Sequence, residues 1–221
     1  MLDLLLPRRC VVCRAPGGQL CGRCRSALPR IVPPLCERCG APTVWPVSRC
    51  SECAGRRLSF ASARAAVAYD DAVKRLVSGW KERGLRHLAV PSGEILVERL
   101  PRPEVDAIAF VPPDGDRRLK RGHHPAEALA YELARRWEIP VLPLIARARP
   151  SPRQRGLSLA ERRRNVRDAF RPARPARPAP PAVCLVDDVY TSGATSDAAS
   201  KALKGAGARR ISVITFARAV R

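Results

Sequence analysis

The sequence predicts an α/β fold, a parallel sheet flanked by helices, preceded by a small cysteine-rich module. Between residues 63 and 217, short apolar runs alternate with stretches that have helical spacing. Eight of the nine cysteines lie between positions 10 and 53, where large apolar residues are few. The apolar run Val183–Val186 leads into two aspartates and a small, hydroxyl-rich loop. Because ligands bind outside the carboxyl ends of parallel strands, this last segment predicts where the site lies.

The cysteine-rich module contains four Cys-x-x-Cys pairs. Two residues between cysteines let both thiolates reach one metal ion, and two pairs complete a tetrahedral zinc site. We therefore expect two structural zinc ions, bound by Cys10, Cys13, Cys21, Cys24, Cys36, Cys39, Cys50 and Cys53. The preferred arrangement is sequential, four cysteines to each ion, and a cross-braced arrangement stays open. A disulfide framework fits less well, because a cytosolic chain keeps its thiols reduced.

Two domains are expected, the zinc-ribbon-like module over residues 1–57 and the α/β domain over residues 58–221. In the α/β domain we expect strands at 63–69, 105–112, 141–145, 183–186 and 211–217. Helices are expected at 71–81, 87–100, 125–137 and 196–205, with residues 157–170 helical in part. Residues 171–181 have the Pro, Ala and Arg content of a linker.

The chain is strongly basic. It has 221 residues, with 41 Lys plus Arg against 20 Asp plus Glu, which gives a net charge of +21. This charge favours polyanionic partners, although arginine enrichment in a GC-rich genome explains part of it. No apolar run approaches the ~18 residues that a membrane span needs, and the start lacks the basic residues of a signal peptide. We expect a cytoplasmic protein that is not an integral membrane protein.

The segment after Val183–Val186 has the composition of a ribose-phosphate site. Backbone N–H groups and hydroxyls at a helix start favour a phosphate, because the helix dipole and unpaired donors both attract an anion. Two carboxylates beside that cradle suit a ligand that also has ribose hydroxyls and a divalent cation. The carboxylates are Asp187 and Asp188, and the cradle is formed by Thr191, Ser192, Gly193, Ala194 and Thr195.

A second loop would open at the same sheet edge, between the strand at 105–112 and the helix at 125–137. It contains four bases within five residues, enough to clamp a pyrophosphate. The residues proposed to bind pyrophosphate are Arg117, Lys120, Arg121 and Gly122. A solvated basic loop without a ligand is the alternative.

The acidic pair and its loop resemble the binding motif of type I phosphoribosyltransferases, and the whole chain resembles the ComF family. Further matching pieces are Lys81-x-x-Gly84, Val111-Pro112, Arg121-Gly122, Gln154, Arg164-Asn165-Val166 and Ala169-Phe170. The resemblance implies a phosphoribosyltransferase-like domain that binds phosphoribosyl pyrophosphate (PRPP) with Mg²⁺. It further implies that Asp187 and Asp188 hold the ribose hydroxyls. Family members commonly continue Arg-Gly with Phe-Asn-Gln, whereas this chain has His123-His124-Pro125.

The resemblance leaves three functions open. The first is phosphoribosyl transfer, for which residues 147–165 would supply a loop covering the active site. Thr191 stands where some purine-using relatives have an acidic residue, so no general base is evident. The second is an inert PRPP-type fold that binds single-stranded DNA and serves DNA uptake in natural competence. The third is a regulator that senses PRPP without turnover.

Overall fold

The computed structural model describes residues 9–113, 123–148, 168–173 and 178–220. Its strands are β1 (Ser62–Ala68), β2 (Ala107–Phe110), β3 (Ile145–Arg147), β4 (Phe170–Pro172), β5 (Ala182–Tyr190) and β6 (Arg210–Arg218). Its α-helices are α1 (Gly22–Ala27), α2 (Asp71–Glu82), α3 (Ala89–Arg99), α4 (Pro125–Trp137) and α5 (Ala194–Gly205), and a 3₁₀ turn spans Arg86–Leu88. None of the helices within these ranges combines the length and apolar content needed to cross a bilayer.

Four strands form a parallel sheet in the order β1-β6-β5-β2, and helices cover both of its faces. The two central strands, β5 and β6, are almost continuously apolar because helices or ribbons bury both of their faces. Side chains alternate between the faces, so that Val183 and Leu185 join one core cluster while Cys184 and Val186 join the other. The predicted α/β class with a parallel sheet is confirmed.

Each half of the cysteine-rich module packs on a different face of the sheet. In the first ribbon, defined as residues 9–28, Val11 and Leu28 join the core cluster that contains α2, α3 and α4. Cys36, Cys39 and Cys53 join the opposite cluster, which contains α5 and the β3–β4 pair. The module is therefore split across the sheet rather than stacked at one end of it.

The predicted strand at 141–145 is wrong. Val141 makes only an isolated bridge to Ile108, and the regular strand begins at Ile145, where it pairs antiparallel with β4 in a separate two-stranded sheet. Pro143 has no N–H to donate, so the ladder cannot continue through it. The expected linker at 171–181 is also partly wrong, because its first two residues belong to β4.

The other elements agree more closely with expectation. Helix α4 spans Pro125–Trp137 as predicted, and Glu138 ends it in the left-handed conformation. Pro91 is accommodated within α3 because it lies in the first turn, where its missing N–H has no helical partner. The basic stretch predicted to be partly helical lies outside the described residues, apart from residues 168–170.

Candidate functional site

The acidic pair lies within β5, not after it. The expectation that the strand ends at Val186 is wrong, because β5 continues to Tyr190 and stays paired with β6 along that length. Strand β2, on the other side, ends at Phe110, opposite Val186. Asp187 and Asp188 therefore lie beyond the residue of β5 at which the pairing with β2 ends.

A lysine reaches the acidic pair, although no single sequence motif predicted that it acts at the site. Lys81, near the end of α2, places Nζ 2.7 Å from Oδ2 of Asp188. Burial alone would lower the pKa of Lys81, but the negative charges of Asp188 and Asp187 outweigh it and raise that pKa. Lys81 is therefore a stable counter-ion that neutralises part of the acidic pair. Lys81 was only part of the family pattern, and no sequence signal linked it to Asp188.

Burial and the neighbouring charge of Asp188 raise the pKa of Asp187 to about 7. Lys81 opposes this shift, as do the N–H of Asp188, which donates to Asp187 Oδ1 at 2.9 Å, and the charge of Arg147 on β3. Asp187 thus exchanges its proton near neutral pH. A carboxyl group in this state can accept a hydroxyl hydrogen bond or join a cation when one arrives.

The loop after β5 turns sharply into α5. Gly193, the N-cap of α5, has φ 72°, and Ser192 Oγ accepts a hydrogen bond from Ala194 N at 3.4 Å. A Cβ on Gly193 would lie 2.2 Å from Tyr190 Oη, so a residue with a side chain cannot replace it without displacement. The structure brings Asp187, Asp188 and the predicted cradle together at the start of a 12-residue helix. Ala194 and Thr195 belong to the first turn of that helix, so the helix begins two residues earlier than predicted.

The predicted pyrophosphate-binding residues, Arg117, Lys120, Arg121 and Gly122, lie outside the described residues. Directly after them, His123 and His124 each make a hydrogen bond through the imidazole ring. His123 Nε2 lies 2.6 Å from the carbonyl oxygen of Trp80, and His124 Nδ1 accepts from Glu127 N at 3.3 Å as the N-cap of α4. Trp80 precedes Lys81, so His123 lies beside the residue that reaches the acidic pair.

The eight cysteines form two clusters in the sequential arrangement. Cys10, Cys13, Cys21 and Cys24 form one, Cys36, Cys39, Cys50 and Cys53 form the other, and the sulfurs in each lie within 4.8 Å of one another. Backbone N–H groups already point at the sulfurs, from Cys21 to Cys10 at 3.5 Å and from Cys50 to Cys36 at 3.3 Å.

The donor set of each cluster fits zinc. Burial dominates at Cys24, Cys39 and Cys53 and raises their pKa values. At Cys10 and Cys36 several backbone hydrogen bonds, including those from Cys21 and from Cys39 and Cys50, outweigh burial and lower both pKa values to about 6. Thiolates are the form that binds zinc, and four of them leave no open position for catalysis. Two structural zinc ions are therefore the occupants that these clusters fit.

Comparison with known proteins agrees with the cysteine clusters. The family model of the double zinc ribbon domain matches residues 1–54. A relative from Haemophilus influenzae, "Competence protein F", is 31% identical over 228 residues, which covers 96% of this chain and 97% of the relative. The chain belongs to the competence protein F family. A second relative, "DNA utilization protein YhgH" from Salmonella typhi, is 27% identical over 227 residues, with 95% and 96% of the two chains covered.

Among solved structures, this family member is similar to an adenine phosphoribosyltransferase at 17% identity and a TM-score of 0.37, with 64% of this chain and 74% of the other covered. It is also similar to a Thermus thermophilus protein, TT1426, at 19% identity and a TM-score of 0.32, with 62% and 83% covered. The expected ComF membership and double zinc ribbon are confirmed. The ligand of the acidic pair and its loop stays a prediction.

Proposed function

We propose that this family member binds PRPP with Mg²⁺ at the carboxyl end of β5 and is built for phosphoribosyl transfer. The observation that carries the proposal is the acidic pair, which lies in one strand directly before a glycine turn and the start of α5. Ser192, Gly193 and Ala194 would surround the 5′-phosphate with N–H groups at the positive end of a helix. Asp187 and Asp188 would hold the ribose hydroxyls.

The lysine at the acidic pair has a defined place in this scheme. Lys81 neutralises Asp188 before a ligand binds. It follows Trp80, whose carbonyl oxygen contacts His123, the first described residue after the predicted pyrophosphate loop. Arg117, Lys120, Arg121 and Gly122 would bind the pyrophosphate, and Asp187 and Asp188 would hold the ribose and its Mg²⁺. When bound, Mg²⁺ supplies charge neutralisation to the leaving group.

The reaction itself would break the bond from ribose C1 to the pyrophosphate oxygen and form one from C1 to an acceptor. Positive charge develops on the ribose ring as pyrophosphate leaves, so preorganised charges are the main source of catalysis. Asp187 and Asp188 would stabilise that positive charge, and Lys81 would stabilise the departing negative charge. No residue in the described part of the site is assigned as a general base, so binding without turnover is the alternative.

Calorimetric titration with PRPP and Mg²⁺ tests the proposal. We expect micromolar binding by the zinc-loaded protein and its loss in Asp187→Ala/Asp188→Ala. Lys201→Ala, an exposed change on α5 beyond the first turn, is the control and should bind normally. Absence of binding by folded, zinc-loaded wild type, or binding that survives in the double variant, would contradict the proposal.

A second candidate function has its own observation, a basic cleft between the first ribbon and α2. The cleft has a volume of about 740 Å³ and includes Arg14, Lys74, Arg75 and Arg83, with Asp71 as its one acidic residue among the lining residues. Arg75 also donates to the carbonyl oxygen of Val12 at 3.3 Å, which joins the two walls. Two relatives carry the names "Competence protein F" and "DNA utilization protein", and a single-stranded DNA backbone is a polyanion that fits this cleft.

Fluorescence anisotropy with a labelled oligothymidylate separates the two functions. We expect binding that weakens with salt and that falls at least tenfold in Lys74→Glu/Arg75→Glu, since each neutralised phosphate contact adds to the salt slope. Asp187→Ala/Asp188→Ala should leave DNA binding intact. DNA binding with no salt dependence, or equal binding by the charge-reversed variant, would exclude the cleft.

A further inference from the structure

The second ribbon, defined as residues 36–57, contacts the predicted phosphate loop directly. Arg56 Nη1 donates to the carbonyl oxygen of Ser192 at 2.9 Å, although 136 positions separate the two residues. Just beyond the ribbon, Ser59 N donates to Asp197 Oδ1 at 2.6 Å, in the first turn of α5. Both contacts reach the turn that starts α5.

The hydrogen bond from Arg56 sets the direction of a donor in the loop. The peptide bond between Ser192 and Gly193 is planar and trans, so its carbonyl oxygen and its N–H point in opposite directions. When Arg56 holds the Ser192 oxygen on the ribbon side, the Gly193 N–H is held pointing away from the ribbon. A loop peptide without this partner is free to rotate, and an N–H that rotates is a poorer anion ligand.

A second route passes through a buried arginine. Arg218, at the end of β6, has 1% of its surface exposed. It donates to the carbonyl oxygen of Cys39 at 2.6 Å and to Glu52 Oε2 at 2.7 Å, both in the second ribbon. Its guanidinium lies 4.6 Å from the ring centroid of Tyr190. Tyr190 lies so close to Gly193 that a Cβ on the glycine would be 2.2 Å from Tyr190 Oη. The ribbon is therefore linked to Gly193 through Arg56 and through Arg218 with Tyr190.

The first ribbon contacts other parts of the molecule. Among the described residues, its ion pairs run from Arg25 to Glu94 and Glu98 on α3, and its hydrogen bond from Arg75 comes from α2. These elements lie on the opposite face of the sheet from α5. The two zinc clusters, similar in their ligands, thus differ in what they support.

We propose that the second zinc cluster controls anion binding at the start of α5, with Arg56 and Arg218 as positioning residues. The inference rests on the proposed function, because the anion is the 5′-phosphate of PRPP or of ribose 5-phosphate. Zinc would hold Cys39 and the turn after Cys53 in place. Arg218, which contacts Cys39, and Arg56, which follows that turn, would then restrict the motion of the loop at Gly193. Loss of zinc from the second cluster releases the loop, whereas loss from the first leaves it intact.

The test compares variants that retain zinc. Arg56→Ala should weaken binding of ribose 5-phosphate by about tenfold, the scale of one charge-assisted hydrogen bond, while zinc content stays at two per chain. Arg56→Lys should recover part of the affinity, and Arg57→Ala, an exposed neighbour, should match wild type. Equal affinity of Arg56→Ala and wild type would overturn the inference.

A second readout does not depend on the ligand. Hydrogen exchange of the amides at 193–197 should become faster in Arg56→Ala and in Cys36→Ser/Cys39→Ser, and should not change in Cys10→Ser/Cys13→Ser. Unchanged exchange in Arg56→Ala would overturn the coupling. If wild type binds neither ribose 5-phosphate nor PRPP but the exchange pattern appears, the proposed function fails and the coupling of ribbon and loop stands.

Discussion

Replacing Asp187 by asparagine should stabilise the fold, because the native carboxyl group is held in an unfavourable environment. Its pKa is about 7, raised by burial and by Asp188, whereas an unfolded-chain aspartate has a pKa of about 3.9. Between these values the folded state binds more protons than the unfolded state, so its stability falls as pH rises from about 4 to about 7. Above pH 7 the full cost is present.

The size of the effect follows from that difference. The pKa of Asp187 differs by about three units between the folded and unfolded states, and each unit corresponds to about 1.4 kcal/mol. The stabilisation by asparagine is therefore at most about 4 kcal/mol at pH 8. Asp187 keeps some contact with solvent, so we expect roughly half of this limit, about 2 kcal/mol, at pH 8 and less than about 1 kcal/mol at pH 5. The asparagine oxygen can still accept the hydrogen bond from Asp188 N.

Urea denaturation of zinc-loaded protein at pH 5 and pH 8 measures the gain. Asp188→Asn is the matched control and should not stabilise, since it removes the acceptor 2.7 Å from Lys81 and leaves that ammonium group with a weaker partner. An Asp187→Asn protein no more stable than wild type at pH 8, or one whose gain is the same at both pH values, would refute the reasoning.

Three further predictions concern the backbone and the ribbons. Gly193→Ala should destabilise by about 2 kcal/mol, from a positive φ and from overlap with Tyr190, and adding Tyr190→Phe should recover part of this in the same urea assay. Gly40→Ala should lower the free energy of unfolding by at least about 2 kcal/mol, because its Cβ would lie 2.3 Å from the backbone oxygen of Ala63. Gly55→Ala has a similar φ but open space around it, so it should lower the free energy of unfolding by only about 1 kcal/mol. Equal melting temperatures for these two variants would contradict the packing of the second ribbon on β1. Arg25→Ala should cost at most about 1 kcal/mol, and the cost should vanish in 1 M salt, because its ion pairs with Glu94 and Glu98 are partly exposed.

The local parts of the site were predictable because neighbouring residues produce them. Cys-x-x-Cys spacing determines that two thiolates converge, and the run from Val183 to Gly193 contains its own strand, carboxylates and turn. Two local boundaries were wrong: α5 begins at Ala194 rather than at 196, and β5 does not end at Val186. The strand error arose because aspartates are uncommon in strands. Here pairing with β6 carries the strand through both carboxylates.

The sequence by itself determined the α/β class, the eight cysteines of the two clusters and the acidic pair before a helix start. Only the tertiary structure decided that Lys81 pairs with Asp188, that the two ribbons lie on opposite faces of the sheet, and that the second contacts the loop before α5. Those contacts join residues far apart in the chain, 179 positions for Arg218 and Cys39, so no local pattern encodes them. They exist because burial of the two faces of the sheet brings distant segments to the same edge, where polar groups must find partners.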